Sequence, residues 1–301
     1  MVKKFLSLLV PGLAICLTVL NSATTAAQTP KMDVATSHIN HVDTSLPGED
    51  FQRVIKDYNI AIIFHPKSAT AYYNRAVLLQ VAGELDQALA DYNKAIEIKP
   101  RYASAYNNRA SIYYVRGRID EALADCNRAI EIDSHHAGAY TNRGVVRSAK
   151  GDFDGALADH NKAIKLNPHL ATAYFNRGVF FLSKGELKQA LTDFDSAIES
   201  APSLAMAYVN RGSVRVALGN FDAAVADYDR AISLNPTIAA VYQNRGIAYL
   251  ILGKKMEAER DFARCLEMDN SLRSSLDQAV TAAKNSSASR FNNSPGSQLK
   301  H

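Results

Sequence analysis

Cysteine is scarce in this chain of 301 residues: Cys16, Cys126 and Cys265 are too few for the disulfide framework of a small secreted domain. Net charge is scarce as well, at a formal +4. Residues 1–27 contribute Lys3 and Lys4 and no acid, so the remainder carries +2. That is too little to imply a nucleic-acid partner or an anionic membrane surface. Catalytic signatures are missing: the sequence has no Gly-rich phosphate loop with Lys, no His-Glu-x-x-His and no Gly-x-Ser-x-Gly elbow. His135 and His136 are adjacent but have no third ligand near them in sequence, so no metal site is expected. An enzyme is not expected, nor is a cofactor. The uncharged stretch Phe5 to Leu20 is broken by Pro11-Gly12 and falls short of the ~20 residues a membrane-spanning helix needs.

What is present begins at the N-terminus. Lys3-Lys4, that apolar stretch and the small polar run Asn21 to Gln28 follow the layout of a secretory signal peptide. Residues 1–27 are therefore expected to be removed after export to the periplasm or beyond, leaving no membrane span; retention as an anchor is the alternative. A lipoprotein reading would make Cys16 the acylated residue, but Ile15 is too large for the position before it. Residues 28–48 and 285–301 are rich in Ser, Thr, Asn and Pro and read as disordered linker and tail. The rest has a globular composition, with 47% hydrophobic and 21% charged residues in the whole chain.

Self-similarity dominates that remainder. Tyr72, Tyr106, Tyr140, Tyr174, Tyr208 and Tyr242 recur at a fixed interval, and each is followed two residues later by Asn-Arg. Gly83, Gly117, Gly151, Gly185, Gly219 and Gly253 keep the same register, as do Ala88, Ala122, Ala156, Ala190, Ala224 and Ala258. Each copy reads as two antiparallel helices, A and B, turning at the glycine. Helix B carries an apolar stripe, in the first copy Ala88, Tyr92, Ala95 and Ile96, and Pro100 stops it. Six copies fill 68–272. Before them, 49–67 repeats helix B alone (Asp57-Tyr58-Asn59 matches Asp91-Tyr92-Asn93), a half-repeat expected to cap the array. After them, 273–284 carries Leu276, Val280 and Ala283 beside polar residues, a capping helix in the slot of a seventh helix A.

An aromatic early in helix A, a small residue four later, then Gly, Ala, aromatic, Ala and Pro at these offsets resembles the tetratricopeptide repeat family over about two thirds of the chain. The resemblance implies an all-α fold, an α-solenoid of antiparallel helix pairs wound as a right-handed superhelix, and a protein or peptide as partner. Three departures are local: Arg stands for the usual Leu after each Asn, Cys265 for the second helix-B alanine, and Ser134 and Asn270 for the terminal proline.

Two recurrent features need explaining. Arg75 and its counterparts lie level with Asp91, Asp125, Asp159, Asp193, Asp227 and Asp261 in an A–B hairpin. An Arg–carboxylate clip is expected, with pairing within a copy favoured over pairing between copies. The second feature is the asparagine. The resemblance places helix A on the concave face, where Asn74, Asn108, Asn142, Asn176, Asn210 and Asn244 match the residue that peptide-binding members set against a ligand's main chain. An amide offers a donor and an acceptor together, which suits a peptide unit. The alternative is that these amides hold the solenoid together. Tyr73, Tyr114, Phe175 and Leu182 would then receive side chains of an extended, largely neutral peptide. The start of helix A carries Thr70, Ser104, Gly138, Thr172, Met206 and Ala240, not the basic residues a clamp for acidic C-terminal tails needs. The function read from the sequence is thus an exported scaffold or adaptor with a peptide groove. The alternative is a structural subunit or regulator of an envelope protein complex, acting through the convex face or the terminal helices.

Overall fold

A computed structural model of the chain describes residues 48–292. The expected signal peptide, nearly all of the linker and the end of the tail lie outside the described residues. Among the described residues every regular element is helical: α1 Gly48–Phe64, α2 Ala69–Val81, α3 Leu85–Ile98, α4 Ala103–Val115, α5 Ile119–Ile132, α6 Ala137–Ala149, α7 Phe153–Leu166, α8 Ala171–Ser183, α9 Leu187–Ser200, α10 Ala205–Ala217, α11 Phe221–Leu234, α12 Ala239–Ile251, α13 Lys255–Met268 and α14 Arg273–Asn292. A 3₁₀ turn, Asn270–Leu272, precedes the last. The helices group into two compact units, 48–177 and 178–292. The half-repeat helix ends at Phe64 rather than 67. The C-terminal helix runs to Asn292, past the 284 expected from composition.

The turns explain why the copies stay in phase. Gly83 has φ +85° and follows the C-cap residue Ala82. The amide of Glu84 donates to Leu79 O at 2.8 Å and that of Gly83 to Gln80 O at 3.1 Å, the paired bonds that tie off a helix whose next residue is left-handed. Any L side chain would strain that backbone. The same pair of bonds recurs at the five later glycines, for example Arg118 N to Tyr113 O at 2.8 Å.

Between helices A and B the distance is set by a small residue. A Cβ on Gly212 would lie 2.7 Å from the Tyr228 ring, and one on Gly246 would lie 2.5 Å from the Phe262 ring. The ring therefore sits directly on the backbone of the partner helix. Alanines complete the seam: Ala88, Ala95, Ala122, Ala129, Ala156, Ala163, Ala190, Ala197, Ala224 and Ala231 are all fully buried. In the unit 48–177 the core runs from Ile55 through Tyr73, Leu78, Tyr92 and Ile112. In the unit 178–292 it gathers Val209, Tyr228, Val241 and Ala248. Cys126 and Cys265 are free and lie in these cores, where burial pushes their thiols up to about 12 and about 11. Both behave as small apolar residues. At the C-terminus α14 packs on α12 through Leu276 and Ala283, while Val280 is half-buried.

His160 departs from the pattern. It occupies the ring position filled by Tyr92, Phe194, Tyr228 and Phe262 in other copies, against Gly144, and its Nδ1 has no hydrogen-bond partner. Burial, with a contribution from Arg177, pushes its pKa down to about 4. An unfolded chain takes up the proton near pH 6.5. The unfolded state therefore binds it first, and stability present at neutral pH is lost as the pH falls from about 6.5 toward about 4. Urea unfolding at pH 7 and pH 4.5 should show the wild-type chain losing up to about 3 kcal/mol more than His160→Phe. Equal losses in the two proteins would show that His160 does not set the acid response.

Candidate functional site

The arginine after each asparagine makes short hydrogen bonds. Arg75 Nε and Nη2 donate to the two oxygens of Asp91, each at 2.6 Å. Arg109 does the same with Asp125 at 2.7 Å, and Arg245 with Asp261 at 2.7 Å. Arg143 holds Asp159 at 2.9 and 2.7 Å, and Arg211 Nη2 holds Asp227 at 2.7 Å. The pairing is within a copy, as favoured from the sequence. The guanidinium then does something the sequence did not disclose. Its remaining Nη1 reaches the helix B of the preceding copy: Arg75 to Asn59, Arg109 to Asn93 and Arg143 to Asn127 at 2.7, 2.7 and 3.0 Å. Arg177 reaches Asn161 at 2.6 Å. In the unit 178–292 the same place is acidic, and Arg211 and Arg245 reach Asp195 and Asp229 at 2.7 and 2.6 Å. One arginine thus closes its own hairpin and joins it to its neighbour.

Its environment favours the charged form. The hydrogen bonds they donate to Asp91 and Asp159 raise the pKa values of Arg75 and Arg143, and partial burial opposes them. Each guanidinium also lies over the tyrosine three residues before it, at 5.3 Å from the ring centroid for Arg109 and Arg143. In two copies a second arginine joins, Arg147 on Asp159 and Arg215 on Asp227, both at 2.8 Å.

Three of the asparagines turn their amide nitrogens onto the preceding helix pair, or in the first copy onto α1. Asn74 Nδ2 donates to Tyr58 OH at 3.1 Å, Asn108 Nδ2 to Tyr73 OH at 3.2 Å and Asn142 Nδ2 to Asn107 Oδ1 at 2.9 Å. These amide donors link copies to each other. Asn108, Asn176, Asn210 and Asn244 are buried, with 3–7% of their surface exposed. Asn74 and Asn142 are half-exposed, and their Oδ1 atoms accept no bond among the described residues. Tyr73, Phe175 and Leu182, expected to receive ligand side chains, are each 4% exposed and offer a ligand almost no surface. Tyr73 instead packs against Tyr102, ring centroids 4.8 Å apart, and burial raises its pKa to about 12. Tyr114 remains half-exposed. Gln80 and Ser111, bonded at 2.9 Å with Tyr92 OH on Gln80 Oε1 at 2.8 Å, complete a buried polar seam. Their roles had no signal in the sequence, because the residues at those positions differ from copy to copy.

Tetratricopeptide repeat profiles match residues 69–102, 103–136, 137–170, 171–204 and 239–272, and a further TPR repeat profile matches 212–253. The chain belongs to the tetratricopeptide repeat family. No curated protein matches it. Among solved structures it is similar to a chain of the Cut9–Hcn1 hetero-tetramer of the APC/C, at 16% identity and TM-score 0.69, over 90% of this chain and 52% of that one. It thus spans about half the length of that relative. It is also similar to a tetratricopeptide repeat protein of Parabacteroides merdae, at 21% identity and TM-score 0.57, covering 77% of this chain and 93% of the other. A thermophilic member from Thermus thermophilus gives 20% identity and TM-score 0.54, over 61% and 100% of the two chains. At these identities the likeness concerns the fold. Tetratricopeptide repeats serve as scaffolds that bind proteins or peptides. Among the described residues no helix is long and apolar enough to cross a membrane, and no group of three metal-ligating side chains comes together.

The clip itself can be tested in the second tetratricopeptide copy, where Asp125 has one arginine. Arg109→Met should cost about 3–5 kcal/mol in urea unfolding, because it strands a buried carboxylate. A double-mutant cycle with Asp125→Asn should give a coupling of about 0.5–3 kcal/mol. Additive single effects would mean that the contact carries no stability.

Proposed function

We propose that the mature chain is an exported, non-catalytic scaffold that holds a neutral, extended segment of a partner protein against the helix-A face of its 48–177 unit. The observation that carries this reading is the chemistry of the accessible part of that face. Thr70, Asn74, Ser104, Tyr114, Asn142, Val145 and Ser148 are exposed or half-exposed, and none is charged. Asn74 and Asn142 present amide oxygens that can accept from the main chain of a ligand. With Nδ2 of both already bonded in the seam, this reading assigns their amide oxygens to the ligand. That revises the donor-and-acceptor ladder expected from the sequence. Export rests on the N-terminal pattern of Lys3-Lys4 and Phe5 to Leu20, and the mature chain should begin near Gln28. N-terminal sequencing of protein recovered from the cell envelope that finds Met1 or Val2 would remove it.

For the face, a partner captured from envelope extract should be cut down to its bound peptide and titrated. Asn142→Ala and Tyr114→Ala should each weaken binding by about 0.5–1.5 kcal/mol, with helicity unchanged. Lys94→Ala on the opposite side should change nothing. Full-strength binding by the folded double variant would dismiss this face as the site.

A second reading, an assembly subunit working through a terminal helix, is favoured by one observation. Ile60, Ile63 and Phe64 of α1 are 54%, 74% and 74% exposed. At the places of Ile60 and Ile63 the first full copy has the ion pair Lys94–Glu97, at 2.7 Å.

A further inference from the structure

Among the described residues helix α1 is a helix B with no helix A before it, and the full copies show what that face is built to meet. In the first copy Ala88, Asp91, Tyr92 and Ala95 are buried under α2, the carboxylate beneath Arg75. The matching residues of α1 are Val54, Asp57, Tyr58 and Ala61. Val54, Tyr58 and Ala61 are only half-buried, and Asp57 is exposed. Asp57 makes no hydrogen bond or ion pair among the described residues. Part of α1 is already used: Ile55 is buried against the first full copy, Val54 and Tyr58 pack partly on the same core, and Tyr58 OH accepts from Asn74. The strip around Asp57 and Ala61 is therefore the uncovered part of a B-type face, with its carboxylate in place and no arginine on it among the described residues.

We propose that this face receives an A-type helix from a partner protein, one that carries an arginine followed by a small residue, glycine or alanine. The inference deepens the second reading above and is independent of the peptide face. The arginine is required because Asp57 stands where Asp91, Asp125, Asp159, Asp227 and Asp261 each hold a bidentate guanidinium. A small residue is required because a ring at the place of Tyr58 lies close to the partner backbone, as Tyr92 does beside Ala76 in the first copy. At Gly212 and Gly246 that ring leaves no room for a Cβ. Val54, larger than the alanine of every full copy, tightens the fit further. Phe64 and Ile60 extend the apolar border of the face. A second copy of this chain does not supply the complement. Its own unpaired A-type helix, α14, has Ala279-Val280 where the full copies have arginine and a small residue.

The probe is a synthetic peptide of residues 137–149, which contains Arg143 and Gly144, titrated onto the full chain by fluorescence anisotropy. Saturable binding at one site is expected. Asp57→Asn, a surface change that leaves helicity intact, should weaken it about tenfold or more, as loss of one partner of a desolvated charge pair does. A peptide with Arg143→Gln should lose as much, and combining it with Asp57→Asn should lose nothing further. A peptide with Gly144→Leu should not bind. The inference is overturned if the wild-type chain fails to bind, if Asp57→Asn binds equally well, or if the leucine peptide does. Loss of binding in Asn142→Ala would place the peptide on the other face and also overturn it. So would a chain that sediments as a dimer and becomes monomeric in Asp57→Asn, since that assigns the face to a second copy.

Discussion

Arg75, Arg109, Arg143, Arg211 and Arg245 each lie between two B helices, with two nitrogens on the carboxylate of their own hairpin and a third on the helix of the copy before. A leucine at this place could bury area but could not bond in two directions. The guanidinium can, because its donors are fixed in one plane and point to both sides. Desolvating a charge is costly, and a single contact would not offset it. Three directed hydrogen bonds and a tyrosine face do so, and each carboxylate gains a bidentate partner in the same step. In the unit 178–292, where Asp195 and Asp229 replace asparagine, the joint becomes a pair of charges around one cation. Those outer carboxylates are about half exposed, so salt should weaken them more than the asparagine joints of the other unit.

The clip needs the two helices of a copy to approach closely, and the small residue next to it provides that. Arginine and Gly or Ala are adjacent in the sequence because they serve one contact: one side chain bonds across the hairpin while its neighbour lets an aromatic ring rest on the backbone. Helices held at that distance draw successive A helices together as well. Three of the asparagines then turn their donors into the seam and Tyr73 is covered. A tight array and an open, fully lined groove compete for the same side chains, and in this chain the array has taken most of them. What stays accessible on the helix-A face of the unit 48–177 is a neutral strip of Thr, Ser, Tyr and Asn oxygens.

The repeat, the helix pairs and the turns were legible because each is written several times in the same register. The Arg–Asp pair was legible for the same reason. Its second bond was not, since Asn59, Asn93, Asn127 and Asn161 give way to Asp195 and Asp229 and read as ordinary solvent-facing polar residues. The burial of Phe175 and Leu182 was hidden because periodicity tells which way a side chain points and not how near the next copy lies. His160 carried no signal either: a single histidine in a helix looks alike whether it meets water or a glycine backbone. The open face of α1 follows from a count of helices, but only exposure shows that Asp57 has lost its cover while Ile55 has kept its own.

Everything beyond the single hairpin depends on whether one arginine joins two copies. Amide hydrogen exchange of the Arg143→Leu chain measures this directly under native conditions. Faster exchange is predicted in α6 and α7, the helices of its own copy, and also in α5, whose Asn127 loses its partner. Exchange that quickens in α6 and α7 alone, with α5 as slow as in the wild-type chain, would contradict it.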